Sequence, residues 1–121
     1  KGYFYEPTIF DTVKDDYTIM KQEHFGPLVP MLSFKLFAEV IKRANNHDLG
    51  LCSYVCTNSM ERAHLASEQL ETGSVAVNTG VVAIAEAPFG GIKQSGYGRE
   101  GGSNAIKDYL NVKYTHLGIK G

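Results

Sequence analysis

The residues best suited to chemistry lie in a short segment, residues 22–27 (QEHFGP), in which a carboxylate and an aromatic ring stand two positions apart. Glu23 precedes the ring of Phe25, and a Gly-Pro pair follows at once, which predicts a rigid turn. A carboxylate can accept hydrogen bonds from ribose hydroxyls, and a ring can pack against a flat heterocycle. A surface acid beside a core ring is the competing interpretation, and the residue types alone leave both open.

A second segment, residues 86–102 (EAPFGGIKQSGYGREGG), contains six of the chain's 13 glycines. Bulky side chains such as Phe89 and Tyr97 interrupt the glycines, which distinguishes the segment from a flexible glycine-serine linker. Residues 96–101 match the G-x-G-x-x-G pattern of a dinucleotide-binding turn. That pattern needs a strand before it and a helix after it, and residues 90–95 make a poor strand. The segment therefore predicts a shaped loop, with independent nucleotide binding as the weaker alternative.

Neither a nucleophile nor a metal site is indicated by the remaining reactive residue types. Ser95 lies in a Gln-Ser-Gly sequence rather than in a G-x-S-x-G elbow. Cys52 and Cys56 fall in one apolar run that predicts a buried strand, on which they would stand too far apart for a disulfide. The four histidines lack metal-ligand spacing and are interpreted as structural or solvated. We predict no catalytic residue and no metal ligand in this sequence.

The composition is that of a soluble globular protein, with 43% hydrophobic and 21% charged residues in a chain of 121. This length predicts a single domain over residues 1–121. The apolar runs are too short for a membrane span, and a net charge of -1 argues against nucleic acid or a membrane as partner. The cysteine usage indicates a reducing compartment, and we expect a cytoplasmic protein. The sequence begins at Lys1 rather than at methionine, so we expect the natural start further upstream.

These segments must be positioned by alternating strands and helices, which the sequence predicts as follows. A proline-bounded strand is predicted over residues 29–34, and strands are also predicted over 51–56 and 74–78. Two helices separate the strands. The first has an apolar face formed by Phe37, Val40, Ile41 and Ala44. The second is expected to have Asn58 as its N-cap and Glu61 as the third helical residue, with an inner face of Met60, Ala63, Ser67 and Leu70.

The order strand, helix, strand, helix, strand predicts an α/β fold with a mostly parallel sheet covered by helices. Such sheets bind ligands at the carboxyl ends of their strands, and the long glycine-rich loop over residues 79–102 leaves from such an end. The layout leaves open whether this loop is a pocket wall or a structural connection. A short helix over 103–109 and a last strand over 112–119 follow. The last strand mixes polar and apolar residues, which favours an edge strand or pairing with another subunit.

Five segments in this order resemble the carboxyl-terminal quarter of the aldehyde dehydrogenase superfamily. The resemblance covers nearly the whole chain, and five motifs at the right spacing are far more specific than any one alone. The matching patterns are G-x-F-x-x-P-T at residues 2–8, E-x-F-G-P at 23–27, A-N-x-x-x-x-G-L at 44–51, G-x-V-x-V-N at 73–78 and P-F-G-G-x-K-x-S-G-x-G-R-E at 88–100.

The resemblance implies an enzyme that transfers a hydride from an aldehyde to NAD or NADP. It also implies that the attacking cysteine, the glutamate base and the cofactor-binding domain precede this segment, so the chain alone is expected to be inactive. By the same resemblance Glu23 contacts the nicotinamide ribose and Phe25 lies beside the nicotinamide. Phe89 is implied to lie near the substrate tunnel, with residues 79–87 lining its mouth. The last strand corresponds to one used in subunit assembly, which implies a homo-oligomer.

Residues 88–96 and 108–114 look closest to succinate-semialdehyde dehydrogenase within this superfamily. Members of that subtype typically place a serine in the loop before the E-x-P-F-G-G motif, where it binds the far carboxylate. Ala83 and Ile84 stand at the corresponding positions and can donate no hydrogen bond. An apolar or differently anchored aldehyde therefore stays open as the substrate. A stand-alone assembly or interaction module on the same sheet is the alternative function.

Overall fold

The computed structural model describes residues 2–119 and residue 121. The chain forms two compact units, an amino-terminal unit over residues 1–47 and a carboxyl-terminal unit over residues 48–121. Each unit has its own helices and paired strands. A single domain over the whole chain stays a prediction.

The amino-terminal unit is built on a short parallel strand pair. Strand β1 (Thr8–Phe10) pairs in parallel with β2 (Leu28–Pro30), and a single-turn helix, α1 (Thr18–Lys21), lies between them in sequence. The strand predicted over residues 29–34 is therefore shorter than expected. It ends at Pro30, opposite the last residue of β1, and the Met31 N–H just beyond it still donates to the Phe10 carbonyl oxygen at 2.8 Å.

Helix α2 (Phe37–Asn45) forms as predicted and buries Ile41, with Phe37 and Val40 half-buried, but Ala44 of the predicted apolar face is exposed. Its first turn is stabilised by Glu39, whose Oε2 accepts a hydrogen bond from the backbone N–H of Lys35 at 3.1 Å. Arg43 on the last turn donates to Asp15 Oδ1 and to the carbonyl oxygen of Ser33. These three bonds tie the helix to the loop after β1 and to the loop after β2 in the same unit.

The carboxyl-terminal unit contains a longer parallel pair, β4 (Cys52–Val55) with β5 (Ser74–Val77), joined through helix α3 (Met60–Gln69). A second pair is antiparallel and joins β3 (Leu49–Gly50) to β6 (Ile92–Lys93). The core of this unit is small, with Ala66 of α3 and Ala76 of β5 both buried. A 3-10 helix over Ala105–Tyr109 follows the glycine-rich loop.

The α/β class is confirmed, and the central strand-helix-strand unit is parallel as predicted. Within the described residues, however, the strands form three separate two-stranded sheets rather than one larger sheet. The antiparallel pair arises because β6 belongs to the loop that folds back onto β3. The prediction of mostly parallel pairing thus holds for two of the three pairs.

The two cysteines are less buried than predicted. Cys52 is half-buried, Cys56 is exposed just beyond the end of β4, and both are free thiols. The prediction of two interior cysteines is wrong, because the single helix α3 cannot cover both faces of a two-stranded sheet. The Cys52 thiol lies 3.7 Å from the hydroxyl of Tyr54, and this hydrogen bond raises the pKa of Tyr54 above its ordinary value of 10.0.

Helix α3 begins one residue later than the sequence suggested. Ser59, not Asn58, is the N-cap, and its Oγ accepts a hydrogen bond from the backbone N–H of Arg62 at 3.3 Å. Two residues of the predicted inner face are not buried, since Met60 is 85% exposed and Ser67 is exposed as well. The buried position is Ala66, which the predicted inner face omitted.

The cap can be tested with a pair of adjacent substitutions in the full-length protein. We expect Ser59→Ala to lower the free energy of unfolding by about 1 kcal/mol, because an N–H of the first turn loses its acceptor. Asn58→Ala is the matched control and is expected to change it by less than about 0.5 kcal/mol. Urea denaturation measures both values, and the reverse ranking would show that Asn58 caps the helix.

Residues 112–119 form no strand among the residues that the structure describes. The predicted last strand is therefore not formed within this chain, because a strand needs a hydrogen-bonding partner and none of the described strands pairs with it. Val112 and Ile119 are almost fully exposed. In the described part of the chain, no helix has the length and apolar character needed to cross a bilayer.

Candidate functional site

The segment with Glu23 and Phe25 forms a tight turn between α1 and β2. Helix α1 ends at Lys21, and the chain then makes two consecutive short backbone bonds, from Gly26 N–H to the His24 carbonyl oxygen at 3.0 Å and from Leu28 N–H to the Gly26 carbonyl oxygen at 2.8 Å. The Pro27 carbonyl oxygen accepts a bond from Thr8 N–H at 2.9 Å. The predicted rigid turn is therefore present and is fastened to β1.

The turn exposes the two residues singled out from the sequence. Phe25 is 97% exposed and Glu23 is also exposed, whereas His24 between them is half-buried. The interpretation of Phe25 as a core ring is thus wrong for this structure. His24 makes a contact that the sequence analysis missed, because its Nε2 lies 3.1 Å from the carbonyl oxygen of Leu28.

The turn presents a hydrogen-bond acceptor and an aromatic face close together in the sequence. A carboxylate such as Glu23 is an acceptor only and suits a pair of ribose hydroxyl donors. The exposed face of Phe25 is free to pack against a flat ring, which an interior phenylalanine could not do. Both groups are available on one short segment whose backbone is held by hydrogen bonds.

The candidate substrate residues belong to the carboxyl-terminal unit. Ala83 and Ile84 are exposed on the loop after β5, and neither offers a hydroxyl or charge. Phe89 is half-buried and pairs its backbone with Glu100 through two hydrogen bonds of 2.7 Å. Phe89 lines a cavity of about 440 Å³ whose other walls include Leu51, Tyr97, Arg99 and Tyr109.

The glycine-rich loop is a fixed structure held by its own motif residues. Ser95 Oγ accepts a hydrogen bond from Gly50 N–H at 2.9 Å, which ties the loop to β3. Arg99 Nη1 donates to the carbonyl oxygens of Gly91 at 2.8 Å and Gly98 at 2.6 Å. Asp108 Oδ2 accepts from the backbone N–H of Arg99 at 3.1 Å. The serine and the arginine of this motif therefore shape the loop.

The G-x-G-x-x-G match at residues 96–101 does not form a dinucleotide-binding turn. Gly96, Gly98 and Gly101 adopt positive φ angles, but the strand before them has only two residues and the helix after them is a 3-10 helix that begins at Ala105. A dinucleotide turn requires a strand that leads directly into an α-helix. The alternative of an independent nucleotide binder thus loses its structural basis.

Asn78 fixes the point at which the substrate-side loop leaves β5. Its side chain bonds both backbone groups of Thr57 beyond β4, with Oδ1 2.9 Å from the N–H and Nδ2 2.8 Å from the carbonyl oxygen. Its own φ angle is positive, at 55°. These features clamp the carboxyl ends of the two parallel strands together, at an open depression that Ser59 and Arg62 also line.

Substitutions at Asn78 should separate its two contributions. We expect Asn78→Ala to lower the free energy of unfolding of the full-length protein by about 2 kcal/mol, through two lost bonds and the strain of a positive φ. Asn78→Gly loses the same bonds without the strain, so we expect it to lower the free energy of unfolding by only about 1 kcal/mol. Urea denaturation measures both, and equal losses would contradict the role of backbone strain.

The predicted site residues fall into two groups. Glu23 and Phe25 share one turn of the amino-terminal unit, and Ala83, Ile84 and Phe89 lie along one segment of the carboxyl-terminal unit. Within the described ranges, no three side chains of His, Cys, Asp or Glu converge in a way that could hold a metal ion.

Comparisons with known proteins find matches over almost the whole length of this chain. The model of the aldehyde dehydrogenase family matches residues 1–115. Over 117 residues the chain is 48% identical to glutarate-semialdehyde dehydrogenase of Pseudomonas aeruginosa, covering 97% of this chain and 24% of that protein. Over 115 residues it is 45% identical to the mitochondrial succinate-semialdehyde dehydrogenase of Arabidopsis thaliana, covering 95% of this chain and 22% of that protein.

A solved structure shares the fold. The NAD+ complex of an aldehyde dehydrogenase from Bacillus cereus superposes with a TM-score of 0.93 at 48% identity, covering 99% of this chain and 24% of that chain. The chain thus spans about a quarter of the length of the proteins that it matches.

Proposed function

The chain belongs to the aldehyde dehydrogenase family, and from this premise we propose that the full-length protein oxidises an aldehyde to a carboxylic acid with NAD or NADP. The observation that supports this most directly is the turn at residues 22–27, which presents Glu23 and Phe25 together to solvent. The matched relatives are about four times longer than this chain. That difference supports the further proposal that the reaction needs sequence outside these 121 residues.

In this proposal the turn supports the cofactor. When bound, NAD or NADP accepts the hydride that leaves the aldehyde carbon. The Glu23 carboxylate accepts hydrogen bonds from the ribose hydroxyls, and the Phe25 ring packs against the nicotinamide. Both side chains orient the hydride acceptor without taking up a proton or forming a covalent bond. This is positioning, and its benefit lies in holding the reacting atoms in line.

We propose a semialdehyde of a short dicarboxylic acid as the substrate class, because two relatives at 45–48% identity are named for glutarate and succinate semialdehydes. Phe89 would line the apolar part of the tunnel, and residues 79–87 its mouth. Ala83 and Ile84 supply no donor for a far carboxylate, so an apolar aldehyde is the alternative. The two substrate classes differ in charge at the end remote from the aldehyde.

The experiment is a substrate comparison with the full-length protein. NADH and NADPH formation is measured with succinate semialdehyde, glutarate semialdehyde and an uncharged aldehyde of equal length. We expect oxidation with at least one of them, and a kcat/KM at least tenfold higher for the semialdehydes supports the carboxylate class. A preference for the uncharged aldehyde would favour the apolar alternative. The 121-residue chain alone serves as the control and is expected to form no reduced cofactor.

We also propose that the full-length protein is a homo-oligomer assembled through residues 112–119. The exposed apolar side chains of Val112, Tyr114, Leu117 and Ile119 support this, because a segment of such composition gains by pairing with another strand. Val112→Asp with Leu117→Asp is expected to shift the sedimentation coefficient to that of a smaller species. An oligomer without any aldehyde oxidation would instead favour the assembly-module alternative. A cytoplasmic location stays a proposal based on the free cysteines.

A further inference from the structure

His24 occupies an unusual place between the two exposed residues of the cofactor turn. Its imidazole Nε2 lies 3.1 Å from the carbonyl oxygen of Leu28 at the start of β2. This side-chain hydrogen bond adds to the two backbone bonds of the turn, which are donated by Gly26 and Leu28. The segment from residue 24 to residue 28 is therefore cross-linked through one side chain.

The hydrogen bond also assigns a role to one nitrogen of the ring. A carbonyl oxygen is an acceptor, so Nε2 must carry the proton and donate it. The other nitrogen, Nδ1, is buried and has no hydrogen-bond partner among the residues that the structure describes. The ring thus acts as a hydrogen-bond donor to the backbone of the turn.

Phe25, the next residue after His24, is not held by packing. The ring of Phe25 is almost fully exposed, so contacts with the rest of the chain cannot fix its direction. The direction in which it points is therefore set by the backbone of the turn. The backbone in turn is held by the imidazole and by the bond from Thr8 to Pro27.

We propose that His24 is a positioning residue that sets the orientation of Glu23 and Phe25 toward the nicotinamide riboside of bound NAD or NADP. This inference rests on the proposed function. It assigns to His24 no contact with the cofactor. Removal of its hydrogen bond is expected to loosen the turn while leaving the two cofactor-facing side chains intact.

The test uses His24→Leu and His24→Gln in the full-length protein, with His64→Leu as the matched control on the exposed face of α3. Glutamine can place an amide N–H near the former Nε2, whereas leucine cannot donate. Three quantities are measured: amide hydrogen exchange of residues 22–28 without cofactor, NADH and NADPH affinity by fluorescence, and KM for cofactor and aldehyde.

For His24→Leu we expect faster exchange over residues 22–28, and a five- to tenfold weaker cofactor affinity, roughly what one lost hydrogen bond produces. The KM for the aldehyde should change less than that for the cofactor. His24→Gln is expected to restore most of the affinity, and His64→Leu to behave as the unsubstituted protein does.

Unchanged exchange and affinity in His24→Leu would overturn the inference. So would equal impairment of both His24 variants together with a lower melting temperature, because that pattern describes a purely structural residue. If the unsubstituted protein binds neither NADH nor NADPH, the proposed function fails and the cofactor role of His24 fails with it. The exchange measurement distinguishes these failures, since it reports the hold of His24 on the turn without any cofactor.

Discussion

Gly73→Ala is expected to destabilise the full-length protein by more than about 3 kcal/mol, at or beyond the upper end of the usual range for overpacking. A Cβ at this position would overlap the carbonyl oxygen of Gly90 and approach its carbonyl carbon to 2.8 Å. Both atoms belong to the backbone, so no side chain can move aside. Gly73 precedes β5 directly, and the clash would therefore separate β5 from the glycine-rich loop.

The matched control for this prediction is Gly80→Ala, because a Cβ there would meet no atom within 4 Å and the φ angle is not left-handed. We expect it to change the free energy of unfolding by less than about 1 kcal/mol. Urea denaturation and the yield of soluble protein measure both variants. A Gly73→Ala protein as stable as the control would contradict the close approach of residues 73 and 90.

Glu23→Gln is expected to lower the rate of hydride transfer in the full-length protein by about ten- to a hundredfold. The substitution keeps the shape of the side chain but replaces charge-assisted hydrogen bonds to ribose hydroxyls, worth about 1.5–3 kcal/mol, with weaker ones. Stability should be unchanged because Glu23 is exposed. Single-turnover kinetics with deuterated aldehyde, together with a melting curve, measure the two effects separately.

Glu68→Gln is the control for Glu23→Gln, since it makes the same chemical change on the exposed surface of α3. It is expected to leave hydride transfer and stability as they are. Kinetics of Glu23→Gln that equal those of this control would remove the cofactor role of Glu23. A large drop in melting temperature would instead assign it a structural role.

Local signals in the sequence predicted the regular elements well. The helical repeat around Ile41 identified α2, and the apolar runs on either side of α3 identified the parallel pair β4 and β5. These elements follow from periodicity, which depends only on neighbouring residues. The N-cap was placed one residue too early because Asn58 and Ser59 are both good capping residues, and only the backbone geometry selects between them.

The contacts that shape the candidate site depend on long-range geometry and were harder to foresee. The bond from Gly50 to Ser95 joins residues 45 positions apart, and no local pattern announces it. The need for glycine at position 73 appears only when the approach of Gly90 is known. His24 was grouped with the structural or solvated histidines, and its structural contact confirms that interpretation without any signal for its partner.

The exposed state of residues 112–119 shows a different limit of sequence reasoning. Their composition indicates a strand, but a strand exists only where a partner supplies hydrogen bonds. The described chain offers none of its own strands to this segment. The pattern therefore predicted the tendency to pair and could not predict whether the partner lies in the same chain.

The most direct test of the account is a structure of the full-length protein with NAD or NADP bound. The quantity to measure is the distance from the Glu23 carboxylate oxygens to the ribose hydroxyls beside the nicotinamide. The account predicts about 2.5–3.0 Å, with the Phe25 ring against the nicotinamide. A bound cofactor with Glu23 and Phe25 both turned toward bulk solvent would contradict it.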